Sequence, residues 1–139
     1  MHWELEYATK LPSRANARKH WAPQAKLNKL HRSGARLQLL AAFRRSGSAP
    51  QAPVRVHLTR IAPHQLDSDN LAHAFKAIQD GVADAIGLDD GPNGGIIWTY
   101  DQAQERVPRV RIEIDDDTPP LPRPRDVDRF AHRGAPRKD

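Results

Sequence analysis

Two pairs of aspartates carry the chemistry for which this sequence is equipped: Asp67 and Asp69 in the run LDSDN, and Asp89 and Asp90 further on in LDDG. Carboxylates gathered at one point repel one another. A hard divalent cation such as Mg²⁺ removes that repulsion while binding a phosphate oxygen and a water, which is the chemistry of phosphodiester hydrolysis. The same residues also have a plainer use. Asp67 and Asp69 suit the start of a helix, where they interact with the macrodipole, and Asp89 and Asp90 suit a turn. On spacing alone the plainer use is the commoner one. A calcium loop of the EF-hand type also opens D-x-D, but its sixth place would be Ala72 rather than glycine and its twelfth Ile78 rather than glutamate, which excludes it.

The elements that must position these carboxylates are legible from periodicity. Trp3, Leu5 and Tyr7 alternate with His2, Glu4 and Glu6 as a first strand, followed by a polar, basic loop from Pro12 to about Pro23 that carries Asn16, His20 and Trp21. About Ala25 to Arg45 reads as a helix, with Leu27, Leu30, Leu37, Leu40 and Ala41 as its apolar positions. Gly34 weakens that helix and SGSAPQAP ends it. Val54, Val56 and Leu58 then mark a second strand running towards Ile61.

From Asn70, Leu71, Phe75, Ile78, Val82 and Ile86 recur at threes and fours as the apolar stripe of a helix of about four turns. His73, Lys76, Asp80 and Asp84 fall on its opposite face, Asn70 is placed to cap it, and Gly87 to end it in the left-handed conformation. A strand around Ile96 to Tyr100 and a last one through Val110, Ile112 and Ile114 complete the order βαβαββ. This is an α/β (α+β) chain, a mixed sheet with two packed helices over residues 1–117. Residues 118–139, rich in proline and charge, read as a mobile, disordered tail. If LDSDN ended a strand, Asp67 and Asp69 would point to one side. A straight helix would then hold them about 25 Å from Asp89 and Asp90. Convergence therefore requires the loop from Gly87 to Gly95 to fold back, or the helix to be short or bent.

The run LDSDNLAHAFKAIQDGVADAIGLDDG resembles the signature of RusA-type Holliday-junction resolvases. It has an Asp-x-Asp-Asn-Leu opening, a lysine on the following helix, an Asp-x-x-x-Ala body and a closing Asp-Asp before a glycine-rich turn. VRVHLTRIAP and VPRVRIEID fit as the strands entering and leaving. The likeness covers the layout from Trp3 to Asp115 and the motif from Leu66 to Gly91. It implies a Mg²⁺-dependent endodeoxyribonuclease, with Mn²⁺ as an alternative ion, that cuts branched DNA such as a four-way junction as a homodimer. The implied metal ligands are Asp67, Asp69 and Asp90. The family's lysine place is taken by His73, with Lys76 one turn further on. Lys76 is favoured, because a permanent cation stabilises a pentavalent phosphate at any pH. The plainer role for Lys76 is an ion pair with Asp80, worth about a few tenths of a kcal/mol.

Charge distribution agrees with a polyanionic partner. From Tyr7 to Leu66 there is no acid but twelve lysines and arginines, while from Asp67 to Asp117 there are twelve acids against Lys76, Arg106, Arg109 and Arg111. Such a basic run invites phosphates, and Arg18, Lys19, Lys26, Lys29, Arg32 and Arg36 are the candidate nucleic-acid contacts. The absence of cysteine removes disulfides and thiolate sites. No run approaches the ~18 apolar residues of a membrane span and no secretory pattern opens the sequence, so a cytoplasmic protein is expected. Two other functions fit the same features: a catalytically weak or inactive DNA-binding accessory protein with this fold, and a nuclease for RNA or another DNA structure.

Overall fold

The computed structural model describes residues 1–9, 11, 21–91 and 93–117. Asn16, Arg18, Lys19, His20 and the expected tail 118–139 lie outside the described residues. The order is β1 (His2–Tyr7), α1 (Trp21–Ser46), β2 (Val54–Ala62), α2 (Ser68–Ala74), α3 (Lys76–Ile86), β3 (Ile96–Gln104) and β4 (Arg109–Asp116). The strands form one mixed sheet in the order β1-β4-β2-β3, making this an α+β chain. β2 and β3 run parallel, which requires a crossover, and α2 with α3 supplies it. β4 is antiparallel to both β1 and β2. No described helix is long and apolar enough to cross a membrane.

The sheet's core face carries Trp3, Val54, Val56, Leu58, Ile96, Val110, Ile112 and Ile114, and the helices cover it with Ala35, Leu39, Phe43, Phe75, Ile78 and Val82. β2 is an interior strand, so its alternation gives way to continuous burial from Leu58 to Ala62. The opposite face is charged: Arg109 and Arg111 both donate to Glu6, and Arg111 foremost holds that carboxyl below its usual pKa.

Three expectations are corrected. First, α1 begins at Trp21, so the end of the expected loop is helical, and its buried side is His31, Ala35, Leu39 and Phe43. Leu30 and Leu37 are instead 57% and 59% exposed. Leucines stand all round this helix, so their number does not select a face; the small Ala35 does, because it permits a close neighbour. Second, the motif helix starts at Ser68 and its cap is Asp67, whose Oδ1 accepts the Asn70 N–H at 2.9 Å, so Asn70 is not the cap. β2 stops at Ala62, and Asp67 and Asp69 therefore do not project from a strand. Third, the expected second helix is two segments, giving three helices among the described residues. Phe75 (φ −84, ψ −4) interrupts it, its N–H turning to the Ala72 carbonyl three residues back at 3.3 Å. Phe75 is wholly buried and stacks on Tyr100 of β3, with centroids 5.6 Å apart and planes at 16°. Burying that ring over β3 offsets the lost regularity. Gly87 ends α3 at φ 83, as expected.

α3 lies directly on α1 at Gly81, where an added Cβ would stand 2.4 Å from the Arg32 carbonyl oxygen and 3.1 Å from the Ala35 Cβ. Gly81→Ala gains about 1 kcal/mol of helix propensity but overpacks backbone against backbone at about 1–3 kcal/mol. The expected result is net destabilisation of about 1 kcal/mol, read as a lower urea midpoint at unchanged slope. A midpoint equal to wild type would mean that the two helices separate freely.

Candidate functional site

Asp90 and Lys76 come together although α3 lies between them. The helix is 11 residues long, about 16 Å, and Asp90 lies four residues beyond its end. Yet the Lys76 Nζ donates to Asp90 Oδ2 at 2.9 Å and to Asp80 Oδ1 at 3.0 Å. The chain after Gly87 therefore runs back along α3, but it brings Asp90 to Lys76 rather than to Asp67 and Asp69, with which convergence was expected. Gly94 makes the loop this tight, since a Cβ there would stand 1.8 Å from the Asp89 carbonyl oxygen. Of the closing aspartates, Asp90 faces the lysine while Asp89 is exposed.

Electrostatics follow from this geometry. Hydrogen bonding from the Lys76 ammonium foremost holds Asp90 below the usual carboxylate pKa. Asp90 and then Asp80 hold the Lys76 ammonium above its usual value. One turn along α3, Asp84 receives both the Nε and Nη2 of Arg32, at 2.6 and 2.9 Å. Arg32 foremost depresses the Asp84 carboxyl.

A cleft of about 230 Å³ runs between α1 and α3, lined by Asn28, Lys29, Arg32, Lys76, Ala77 and Asp80. Two of the basic residues singled out in the sequence, Lys29 and Arg32, thus stand beside the motif lysine. Lys26 and Arg36 are exposed on the same helix. Arg32 is engaged by Asp84 and is a poorer phosphate contact than its charge implies.

Asp67 and Asp69 stand at the other end of the motif. Asp67 keeps one carboxylate oxygen beyond its cap bond; Asp69 is exposed, with no hydrogen-bond or ion-pair partner among the described residues. These are hard oxygen donors, and Mg²⁺ is commonly held by one or two carboxylates with waters and phosphate oxygens, so the pair fits that ion. Asp90 is not gathered with them. Among the described residues, the group of three possible ligand atoms within 4.8 Å of one another is His2, Glu4 and Glu113, across β1 and β4. His73 is exposed in α2, across the Phe75 break from Lys76, and has no partner among the described residues. His57 contacts Thr99 on β3 and His64 lies exposed in the loop before the motif. Asp80 is the residue whose role the sequence understated; its spacing of four from Lys76 and from Asp84 was the available signal.

The lowered pKa values fix a pH dependence. A carboxylate depressed in the fold stabilises it above the unfolded value, about pH 4, and that contribution is lost as pH falls through the folded value. Thermal midpoints measured from pH 5 to 2 are expected to fall less steeply in Asp84→Asn/Asp90→Asn than in wild type. Identical acid limbs would show that these pairs contribute nothing.

No protein-family model matches the chain. It is similar to an uncharacterised protein of Xylella fastidiosa (strain Temecula1), 38% identical over 85 residues, which is 54% of this chain and 51% of that protein. The chain thus spans about half the length of the relative it matches.

Proposed function

We propose that the protein is a divalent-metal-dependent endonuclease of the RusA type, acting on branched DNA. The observation that supports this most is the cleft between α1 and α3, where Lys29 and Lys76 stand beside Asp80 and Asp90. A purely structural ion pair needs neither the second carboxylate nor the basic wall. Lys29, with Lys26 and Arg36 on the same helix, attracts the phosphate backbone and holds it along α1. Lys76, reaching from the start of α3, presents an ammonium to a phosphoryl oxygen and stabilises the charge that grows there as the phosphorus becomes pentavalent. Asp69, unpartnered among the described residues, and the Asp67 oxygen outside its cap bond are the ligands proposed for Mg²⁺ or Mn²⁺. That ion, when bound, supplies Lewis-acid polarisation and a water of lowered pKa. Symmetric cutting of a four-way junction calls for a homodimer with two such sites related by a two-fold axis.

A second reading, a junction-binding protein without cleavage, is favoured by one observation: Asp90 is engaged by Lys76, and it does not join Asp67 and Asp69 in a cluster of ligand atoms within 4.8 Å of one another. The deciding experiment compares a synthetic four-way junction with linear duplex, with and without Mg²⁺. Wild type is expected to cut the junction only with metal, and Asp69→Asn to bind it at least as tightly without cutting, since the substitution removes a ligand charge and a repulsion of phosphate together. Binding without cutting by wild type would establish the second reading.

The choice of cation is tested separately under single-turnover conditions. Lys76→Ala is expected to lower the rate by about 10²–10³, as removal of an electrostatic stabiliser does, and His73→Ala to cost little. If His73 carried the role, the two variants would exchange effects.

A further inference from the structure

Two polar residues stand where strand alternation calls for apolar ones. On β3 the core-facing positions run Ile96, Trp98, Tyr100 and then Gln102; on β2 they run Val54, Val56, Leu58 and then Arg60. Arg60 and Gln102 are register partners on the two parallel strands. Such positions cost desolvation unless specific hydrogen bonds offset it.

Both side chains turn to the same stretch of backbone, residues 63–66, which leads into Asp67. Gln102 grips Leu66 from both sides: its Oε1 accepts the Leu66 N–H at 3.0 Å and its Nε2 donates to the Leu66 carbonyl at 2.7 Å. One amide side chain thereby imitates a strand neighbour and fixes the peptide planes on either side of Leu66. Arg60, 8% exposed and with no acid in ion-pair reach among the described residues, donates from Nη1 to the His64 carbonyl. Burial pushes its pKa down. Gln104 adds a bond to the Pro63 carbonyl at 3.2 Å. The loop itself has no regular secondary structure. Its direction into Asp67 is therefore set by these side chains.

We infer that Gln102, seconded by Arg60, is a positioning residue that holds Leu66 and so fixes the backbone that enters Asp67 and Asp69, the proposed metal ligands; this rests on the metal-binding role proposed above. Neither residue is proposed as a ligand of the ion or a contact of the DNA. Their effect is to remove the entropy of ordering the loop from the cost of binding metal.

The test uses the full chain and Mn²⁺ alone, read by paramagnetic broadening of the backbone amide signals of Ser68, Asp69 and Asn70, with thermal midpoints alongside. Gln102→Leu removes both bonds, while Gln102→Glu keeps the acceptor and loses the donor. Both are expected to raise the Mn²⁺ concentration for half-broadening by about tenfold, the usual effect of losing an orienting neighbour of a ligand. The glutamate variant serves if the leucine variant fails to fold. Broadening at wild-type Mn²⁺ concentrations in the variants, whatever their thermal midpoints, would overturn the positioning role and leave the metal site standing. Absence of broadening in wild type would overturn the metal site and the positioning role together.

Discussion

A glycine on one helix and a carbonyl oxygen on another approach so closely that no side chain fits between them, and most of the site's geometry depends on that crossing. With Gly81 against the Arg32 backbone and Ala35 filling the space beside it, α3 lies on α1 at its closest. Side chains just outside the crossing are thereby forced into each other's reach. Arg32 meets Asp84, and Asn28 and Lys29 face Lys76 and Asp80 across the cleft. A larger residue at the crossing would part the helices and dilute every one of these pairings.

The crossing also explains how a chain with such segregated charge folds without excessive self-repulsion. Some of the acid-free first half is answered by acids of the second, Arg32 by Asp84, while Glu6 answers Arg109 and Arg111 in the opposite sense. What remains outward on α1 is Lys26, Lys29, Arg36, Arg44 and Arg45. Exposed ion pairs of this kind add little stability. Their larger effect is to decide which cations are committed inside the molecule and which face solvent. Lys76 belongs to neither group: more than half exposed, it is held between Asp80 and Asp90.

Strands were the most legible part of this sequence, because β1 and β4 each have one apolar and one charged face and alternation reports that directly. β2 was legible only in its first half, since an interior strand buries residues of both parities. α1 was found as a helix but with its faces misassigned. Leu30 and Leu37 carry the hydrophobicity, whereas Ala35 carries the fit. The break at Phe75 left no sequence signal, for neither glycine nor proline is there; it follows from a tertiary contact with Tyr100. Of the site, the residues themselves were legible and their meeting was only half so. Asp90 reaches Lys76 through a loop whose path depends on Gly94, while the bonds that hold Leu66 come from Gln102, far along the chain.

The place of β4 has a consequence for the order in which the molecule assembles. The last strand in the described sequence lies between the first strand and β2, pairing His2 with Asp115 on one side and Val54 with Asp116 on the other. During synthesis, α1, β2, the motif helices and β3 emerge as a contiguous stretch in which β2 already has β3 to pair with, while its other edge waits for β4. β1, although made first and able to pack on α1 through Trp3, has no strand partner until residues 109–116 have left the ribosome, because β4 alone joins it to the sheet. Closing that gap links the two ends of the described chain, a contact of high sequence separation whose loop-closure cost slows folding. The cleft and the motif belong to the part that can form early, and the seam that locks them belongs to the part that forms last.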